Sequence, residues 1–267
     1  MPSFSYILDP PGSFGTMAEF ERALRRLKEL GYAGIEFSLP SPPGFDLDAL
    51  ERALTATRLT MVSFLTGWSY FNEGLCLCAK DPAIRERAVA RLLGHVETAA
   101  RFGAILVIGQ MQGFLQDEPD STIANDRIAE CLGAVAHRAE ARGVTLVLEP
   151  VNHLQVGFNH TVAHVLRMVR RVGSPALRPM VDTLHMNIEE RSLTDPIRLA
   201  GADLAHVHLC ETNGSIFGTS HLDFAAVLRT LTEIGYDRFI SVKIYRGATW
   251  EEGASTTMAF LRTLGLV

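Results

Sequence analysis

Eight short apolar runs, each followed by a longer helix-like stretch, organise this chain from end to end. The runs fall at 4–8, 34–39, 60–66, 105–109, 145–150, 179–183, 205–209 and 239–245. They are rich in Val, Ile, Leu and Phe and bounded by Gly, Pro or charge, as buried strands are. Helices are predicted over 16–30, 46–57, 81–102, 121–142, 161–172, 223–234 and 250–264. Gly31, Gly103, Gly143, Gly173, Gly235 and Gly265 stand where helices commonly stop in a left-handed turn. Pro82 lies just inside one start, and Ser121 reads as an N-cap. The stretch 187–200 is less regular and is predicted to break at Pro196.

Strands separated by helices must run parallel, because each return needs a crossover. Eight such units in 267 residues predict an α/β fold of (β/α)8 type, a TIM barrel, as a single domain over 1–267. The competing open, doubly wound sheet usually carries a Gly-rich turn after its first strand. Here that place reads Asp9-Pro10-Pro11-Gly12, and neither G-x-G-x-x-G nor a P-loop occurs.

Composition narrows the partners. Charge is 25 Lys+Arg against 30 Asp+Glu, a net −5, which argues against a nucleic-acid-binding face. No apolar run approaches the ~18–20 residues that span a bilayer, and no secretory pattern opens the chain. Cys76, Cys78, Cys131 and Cys210 are too few for a disulfide scaffold, and Cys76-Leu-Cys78 is not a C-x-x-C. Reduced, buried thiols in a cytoplasmic protein are the expectation, with a small molecule as partner.

In a barrel of this kind, chemistry collects where strands end. Four successive strand ends carry Glu149, Asp182, His208 and Lys243, and Glu36 sits similarly on the second strand. Charge inside a barrel is costly unless paired or metal-bound. Glu, Asp and His are ligands for Mn2+, Mg2+, Co2+ or Zn2+, and three protein ligands with open positions suit a catalytic ion. His185 falls in a loop on the same face, and His153 follows Glu149 closely. His206 reads as a barrel-lining structural residue and His221 as a cap of the following helix. Trp68, Tyr70 and Phe71 read equally as a sugar-stacking wall or as loop packing.

At Glu149-Pro150-Val151-Asn152, at 182–190 (DTLHMNIEE) and at 206–213 (HVHLCETN), the chain resembles the xylose-isomerase-like barrel superfamily. It most resembles the branch holding ketose 3-epimerases, hydroxypyruvate isomerase-like proteins and other sugar phosphate isomerase/epimerase-type proteins. The resemblance implies a sugar isomerase or epimerase with Glu149, Asp182 and His208 as divalent-metal ligands. It implies Glu149 as base and His185 as a substrate contact, and Glu36, Trp68, His153 and Gln155 are further candidate substrate residues. Family members are often dimers or tetramers, so a homo-oligomer is allowed.

Three positions depart from the family pattern. Lys243 stands where a fourth, glutamate ligand is expected, Gln155 where a glutamate is common, and Gly214 where an arginine usually follows. Four readings of Lys243 stay open. It serves as acid or base beside a bound metal, or its ammonium replaces the metal. It forms a Schiff base, or it marks a binding barrel without catalysis. A one-base site would also suit a lyase performing β-elimination next to a carbonyl, as in C-glycoside-cleaving relatives.

Overall fold

Each apolar run forms a strand, and all eight pair in parallel. In this computed structural model, which describes residues 2–41 and 43–265, they are β1 (Ser3–Ile7), β2 (Gly34–Ser38), β3 (Thr60–Leu65), β4 (Ile105–Ile108), β5 (Leu146–Leu148), β6 (Leu177–Asp182), β7 (His206–Leu209) and β8 (Phe239–Val242). Spatial order equals chain order, and β8 pairs back onto β1, with Ser3 opposite Phe239 and Tyr6 opposite Val242. The sheet is therefore a closed barrel, the predicted (β/α)8 architecture.

The helices are α1 (Met17–Leu30), α2 (Leu47–Thr57), α3 (Trp68–Glu73), α4 (Pro82–Phe102), α5 (Ser121–Ala141), α6 (Val162–Val172), α7 (Thr183–Glu189), α8 (Asp195–Ala200), α9 (Phe224–Glu233) and α10 (Trp250–Thr263). Reciprocal capping boxes open α1 (Thr16 with Glu19) and α10 (Thr249 with Glu252). No helix among the described residues is long and apolar enough to cross a membrane.

Local chemistry moves some predicted boundaries. The N-cap of α5 is Asp120, not Ser121: its carboxylate accepts from the Thr122 and Ile123 amides. The irregular 187–200 stretch breaks between Glu189 and Asp195 rather than at Pro196. Pro196 falls in the first turn of α8, where a missing N–H costs nothing. Asp223, not His221, caps α9 through the Ala226 amide, and His221 is exposed beside Ser220. Arg58, at φ 55°, ends α2 in a left-handed turn usually left to glycine.

Alternation along the strands sorts the core into two layers. Leu146, Leu148, Val181, Val207, Leu209, Ile240 and Val242 join the large cluster between sheet and helices. Val107, Val147 and Met180 line the barrel interior and, with Ala205 just before β7, form a separate small cluster. The rest of the interior is polar: Ser5, Glu36, Ser63, His206, His208 and Ser241 are all buried. Branched aliphatic side chains usually fill that space, so this half of the barrel is built for something other than packing.

Candidate metal centre and active site

Glu149 is the first residue after β5. Its amide donates to the Ile108 carbonyl at 2.9 Å and its carbonyl accepts from the Gln112 side chain at 3.0 Å, so its backbone is fixed on both sides. Its carboxylate lies over Gly109, where a Cβ would come within 2.5 Å of Oε2. Only glycine leaves that space.

Asp182 ends β6, and α7 starts at the next residue. One carboxylate oxygen caps α7 by accepting from the Leu184 amide at 2.8 Å. The other, Oδ2, is left to face the barrel axis. His208 on β7 bonds through Nε2 to Glu36 Oε2 at 3.1 Å. Its Nδ1 lies 3.6 Å from Glu149 Oε1 and 3.8 Å from Asp182 Oδ2.

His185, in the first turn of α7, meets the same point. The Asn152 side-chain amide donates to its Nδ1 at 2.7 Å. That bond assigns the imidazole proton to Nε2, which lies 3.7 Å from Glu149 Oε1 and 3.9 Å from Asp182 Oδ2. His185 therefore presents a donor to this site, whereas His208 presents Nδ1.

Glu149 Oε1, His208 Nδ1 and His185 Nε2 are buried without hydrogen-bond partners. Buried polar atoms are rarely left so. Glu149, Asp182 and His208 each offer a ligand atom within 4.8 Å of the others. A divalent ion about 2.1 Å from each ligand needs separations of about 3–4 Å, which the two measured His208 distances satisfy. The donor set of two carboxylates and an imidazole fits Mn2+, Mg2+, Co2+ or Zn2+.

Lys243 follows β8, with its amide bonded to the Leu209 carbonyl at 2.9 Å. Its Nζ donates to Asp182 Oδ2 at 3.1 Å and makes no ion pair with Glu149. Burial alone would lower its pKa, but Asp182 and Glu149 outweigh that and raise it, so the ammonium stays charged. Burial would raise the Glu149 carboxyl, but His208, Lys243 and His185 pull it below the usual range and keep it ionised.

Under this ring lies a second network. Glu36 is fully buried, held by His206 Nε2 at 2.8 Å, His208 Nε2, Ser63 Oγ at 2.7 Å and Ser241 Oγ. The sequence reading placed Glu36 against substrate; the structure places it beneath His208, closed to solvent, where it anchors Nε2 and leaves Nδ1 for the centre. Burial would raise the Glu36 carboxyl, yet His206 and His208 hold it well below its ordinary value. Its stabilisation is therefore complete above an unfolded pKa of about 4.3 and is lost as pH falls through its folded value. For His208, burial lowers and Glu36, Asp182 and Glu149 raise, for a net pKa well above the ordinary one. Its contribution is complete below about pH 6.5 and fades as pH rises through the folded value. Glu36→Gln is expected to cost about 3–5 kcal/mol in urea unfolding at neutral pH, because it removes the buried carboxylate that both His206 and His208 bond. A loss under about 1 kcal/mol would show that the histidines are held by other means.

A cavity of about 340 Å3 opens onto the centre, walled by Glu149, His208, Lys243, Trp68, Phe71 and Tyr245. Trp68 and Phe71 face it from α3, while Tyr70 turns away to Asp117 and the Phe114 ring. Two predicted contacts fall outside. His153 is exposed and bonds Glu189 at 2.5 Å, and half-buried Gln155 is absent from the lining. Sequence reasoning missed Asn152 and Tyr245. Asn152 had a signal, since it lies in the Glu149–Asn152 motif, whereas Tyr245 had none.

Known proteins resemble this chain over nearly its whole length. A family model described as a xylose isomerase-like TIM barrel matches residues 24–264. L-ribulose 3-epimerase from Mesorhizobium japonicum is 31% identical over 249 residues, 92% of this chain and 82% of that protein. D-psicose 3-epimerase from Ruminiclostridium cellulolyticum is 30% identical over 224 residues, 82% and 76% of the two chains. A solved structure of L-ribulose 3-epimerase superposes with a TM-score of 0.88 at 27% identity, covering 100% of this chain and 95% of that one. With the family model and these relatives covering most of its length, the chain belongs to the xylose isomerase-like TIM barrel family and has ketose 3-epimerases among its homologues.

Proposed function

We propose that this chain is a metal-assisted epimerase or isomerase of small ketoses and related hydroxy-carbonyl compounds. The observation that carries this is the buried, ionised Glu149 Oε1, unpartnered beside His208 Nδ1 at the edge of an open cavity. Glu149, Asp182 and His208 would hold the ion. When bound, such an ion would polarise the substrate carbonyl and acidify the adjacent C–H bond.

The chain's own residues do the rest. Glu149 takes the proton from the carbon next to the carbonyl. The His185 Nε2–H, set by Asn152, donates to a substrate oxygen. The Lys243 ammonium sets a positive charge beside the developing enediolate. In this reading it also supplies the proton on the second face, in place of the second carboxylate of a two-glutamate epimerase. Glu149 then ends protonated and Lys243 neutral, and solvent exchange of one proton resets both. If Glu149 instead delivers the proton to the former carbonyl carbon, and a hydroxyl proton passes between the two oxygens, the outcome is isomerisation. Trp68, Phe71 and Tyr245 supply flat apolar walls for the sugar's C–H faces.

The contact to Asp182 alone bears on the other readings of Lys243. An ammonium replacing the metal would sit between Asp182 and Glu149, but Lys243 reaches only Asp182. A Schiff base needs the amine neutral in the resting site, where Asp182 and Glu149 are both ionised and oppose it. The Lys243–Asp182 pair remains the one observation favouring a metal-free variant. The free, buried cysteines suit a reducing compartment such as the cytoplasm.

The test is deuterium exchange. In D2O with Mn2+, Co2+ or Mg2+, the carbon next to the carbonyl of L-ribulose, D-psicose or D-tagatose should acquire deuterium, seen by NMR. Absence of exchange from every ketose and hydroxy-keto acid in such a panel would overturn the reading.

A further inference from the structure

Beside Tyr70 of α3, outside the lining of the reaction cavity, three more ligand-type side chains converge. Cys76 and Cys78 lie between α3 and α4, and Asp117 lies before α5. Their ligand atoms are all within 4.8 Å of one another, both thiols are buried, and Asp117 is half-buried. The two segments are stitched together by Leu77 N to Met111 O at 2.8 Å and Lys80 N to Asp117 O at 3.3 Å. Gly113 keeps the space between them open: a Cβ there would lie 2.4 Å from Cys78 Sγ and 3.2 Å from Asp117 Oδ2. The Phe114 carbonyl, 4.0 Å from Cys78 Sγ, stands at the edge of the cluster.

We propose that Cys76, Cys78 and Asp117 form a second metal site, for one thiophilic divalent ion of the Zn2+ or Cd2+ type. Two sulfurs and a carboxylate are a soft set, distinct from the carboxylate–imidazole set at the barrel mouth. Tetrahedral coordination at about 2.3 Å per sulfur brings two sulfurs to about 3.8 Å, inside the observed spread. Binding releases two protons to solvent, one from each thiol, and two metal–sulfur bonds form. Asp117 supplies one oxygen, and a water or the Phe114 carbonyl completes the shell. Asp117 also accepts from the Tyr70 hydroxyl at 2.9 Å, and Tyr70 is on the same short helix as Trp68 and Phe71. The ion would clip the two loops that hold the aromatic wall in place.

Cadmium distinguishes the two centres without reference to activity. The full-length chain, reduced with a phosphine, is titrated with Cd2+ in the ultraviolet. A thiolate-to-cadmium band should appear and saturate at one ion per chain. Cys76→Ser and Cys78→Ser should each abolish it, Cys131→Ser and Cys210→Ser should retain it, and Asp117→Asn should weaken binding about 10–100-fold. If the serine variants do not fold, cadmium NMR of the unaltered chain decides, because a two-sulfur environment shifts the resonance far from an all-oxygen-and-nitrogen one. Absence of the band, its survival in Cys76→Ser or Cys78→Ser, its loss in Cys210→Ser, or a cadmium resonance without sulfur ligands would overturn the proposal.

Discussion

Glu149→Gln should reduce both deuterium exchange and turnover by about 10²–10⁴-fold, the range spanned by a positioned general base. The substitution keeps the size of the side chain, and the amide fits the pocket over Gly109 that the carboxylate now fills. What disappears is the basic lone pair and the negative charge facing His208 and Lys243. Because the base acts only as the C–H bond breaks, the loss should fall on kcat, with KM moved much less. The folded state should survive, since Oε1 makes no hydrogen bond that the fold requires. Thermal melting in parallel with rate measurement separates the two effects. Retention of more than about a tenth of the rate, in a variant shown to be folded, would remove Glu149 from the reaction.

Lys243→Glu should tighten divalent-metal binding by about 100-fold or more. An ammonium roughly 5 Å from a divalent ion repels it by about 6–7 kcal/mol at an effective dielectric near 20, and a carboxylate in its place attracts. Recovery of less than half of that repulsion, about 2.8 kcal/mol, gives the stated factor. Without metal the same change is harmful. Asp182 loses the ammonium that donates to it, and three carboxylates then face one point. A cost of about 2–3 kcal/mol is expected, below the range for fully buried pairs because the Lys243 side chain is 22% exposed. For a domain of this size that lowers Tm by about 5–10 °C under chelation. The gap in Tm between chelated and Mn2+-loaded protein should therefore widen well beyond that of the unmodified chain. An unchanged gap together with unchanged metal affinity would mean that Lys243 points away from the ion, and would refute a shared site.

The architecture was legible because strand and helix write different periods, and the barrel needs only their alternation. The centre was legible for a related reason. Glu149, Asp182 and His208 end consecutive strands, and parity along a strand says which side chains face inward. Parity does not say how deep. Glu36 has the right parity, yet β2 shifts register against β3 between Ile35 and Glu36, and the carboxylate ends one layer below the mouth. His153 and Gln155 failed for another reason. The chain leaves β5 in tight turns, with Gln155 N and Val156 N both bonding the Asn152 carbonyl. These turns carry Asn152 inward and His153 outward to Glu189, a choice no periodic pattern encodes. Tyr245 was invisible because its ring takes the space above Gly214, which has φ +70° and lies 31 residues earlier in the chain.

The β1–β8 seam gives the site a history. Strand β8 is the last to leave the ribosome, and it brings Ser241 to Glu36 and Lys243 to Asp182. Until it docks, β1 and β7 present open edges, and the acids of the interior await their final counterparts. Pairing of the first and last strands carries a long loop-closure penalty, so it is expected late in folding. The nascent chain can therefore assemble most of its helices and yet hold no finished centre. A molecule that has not zipped this seam lacks the Ser241 and Lys243 contacts that complete its interior.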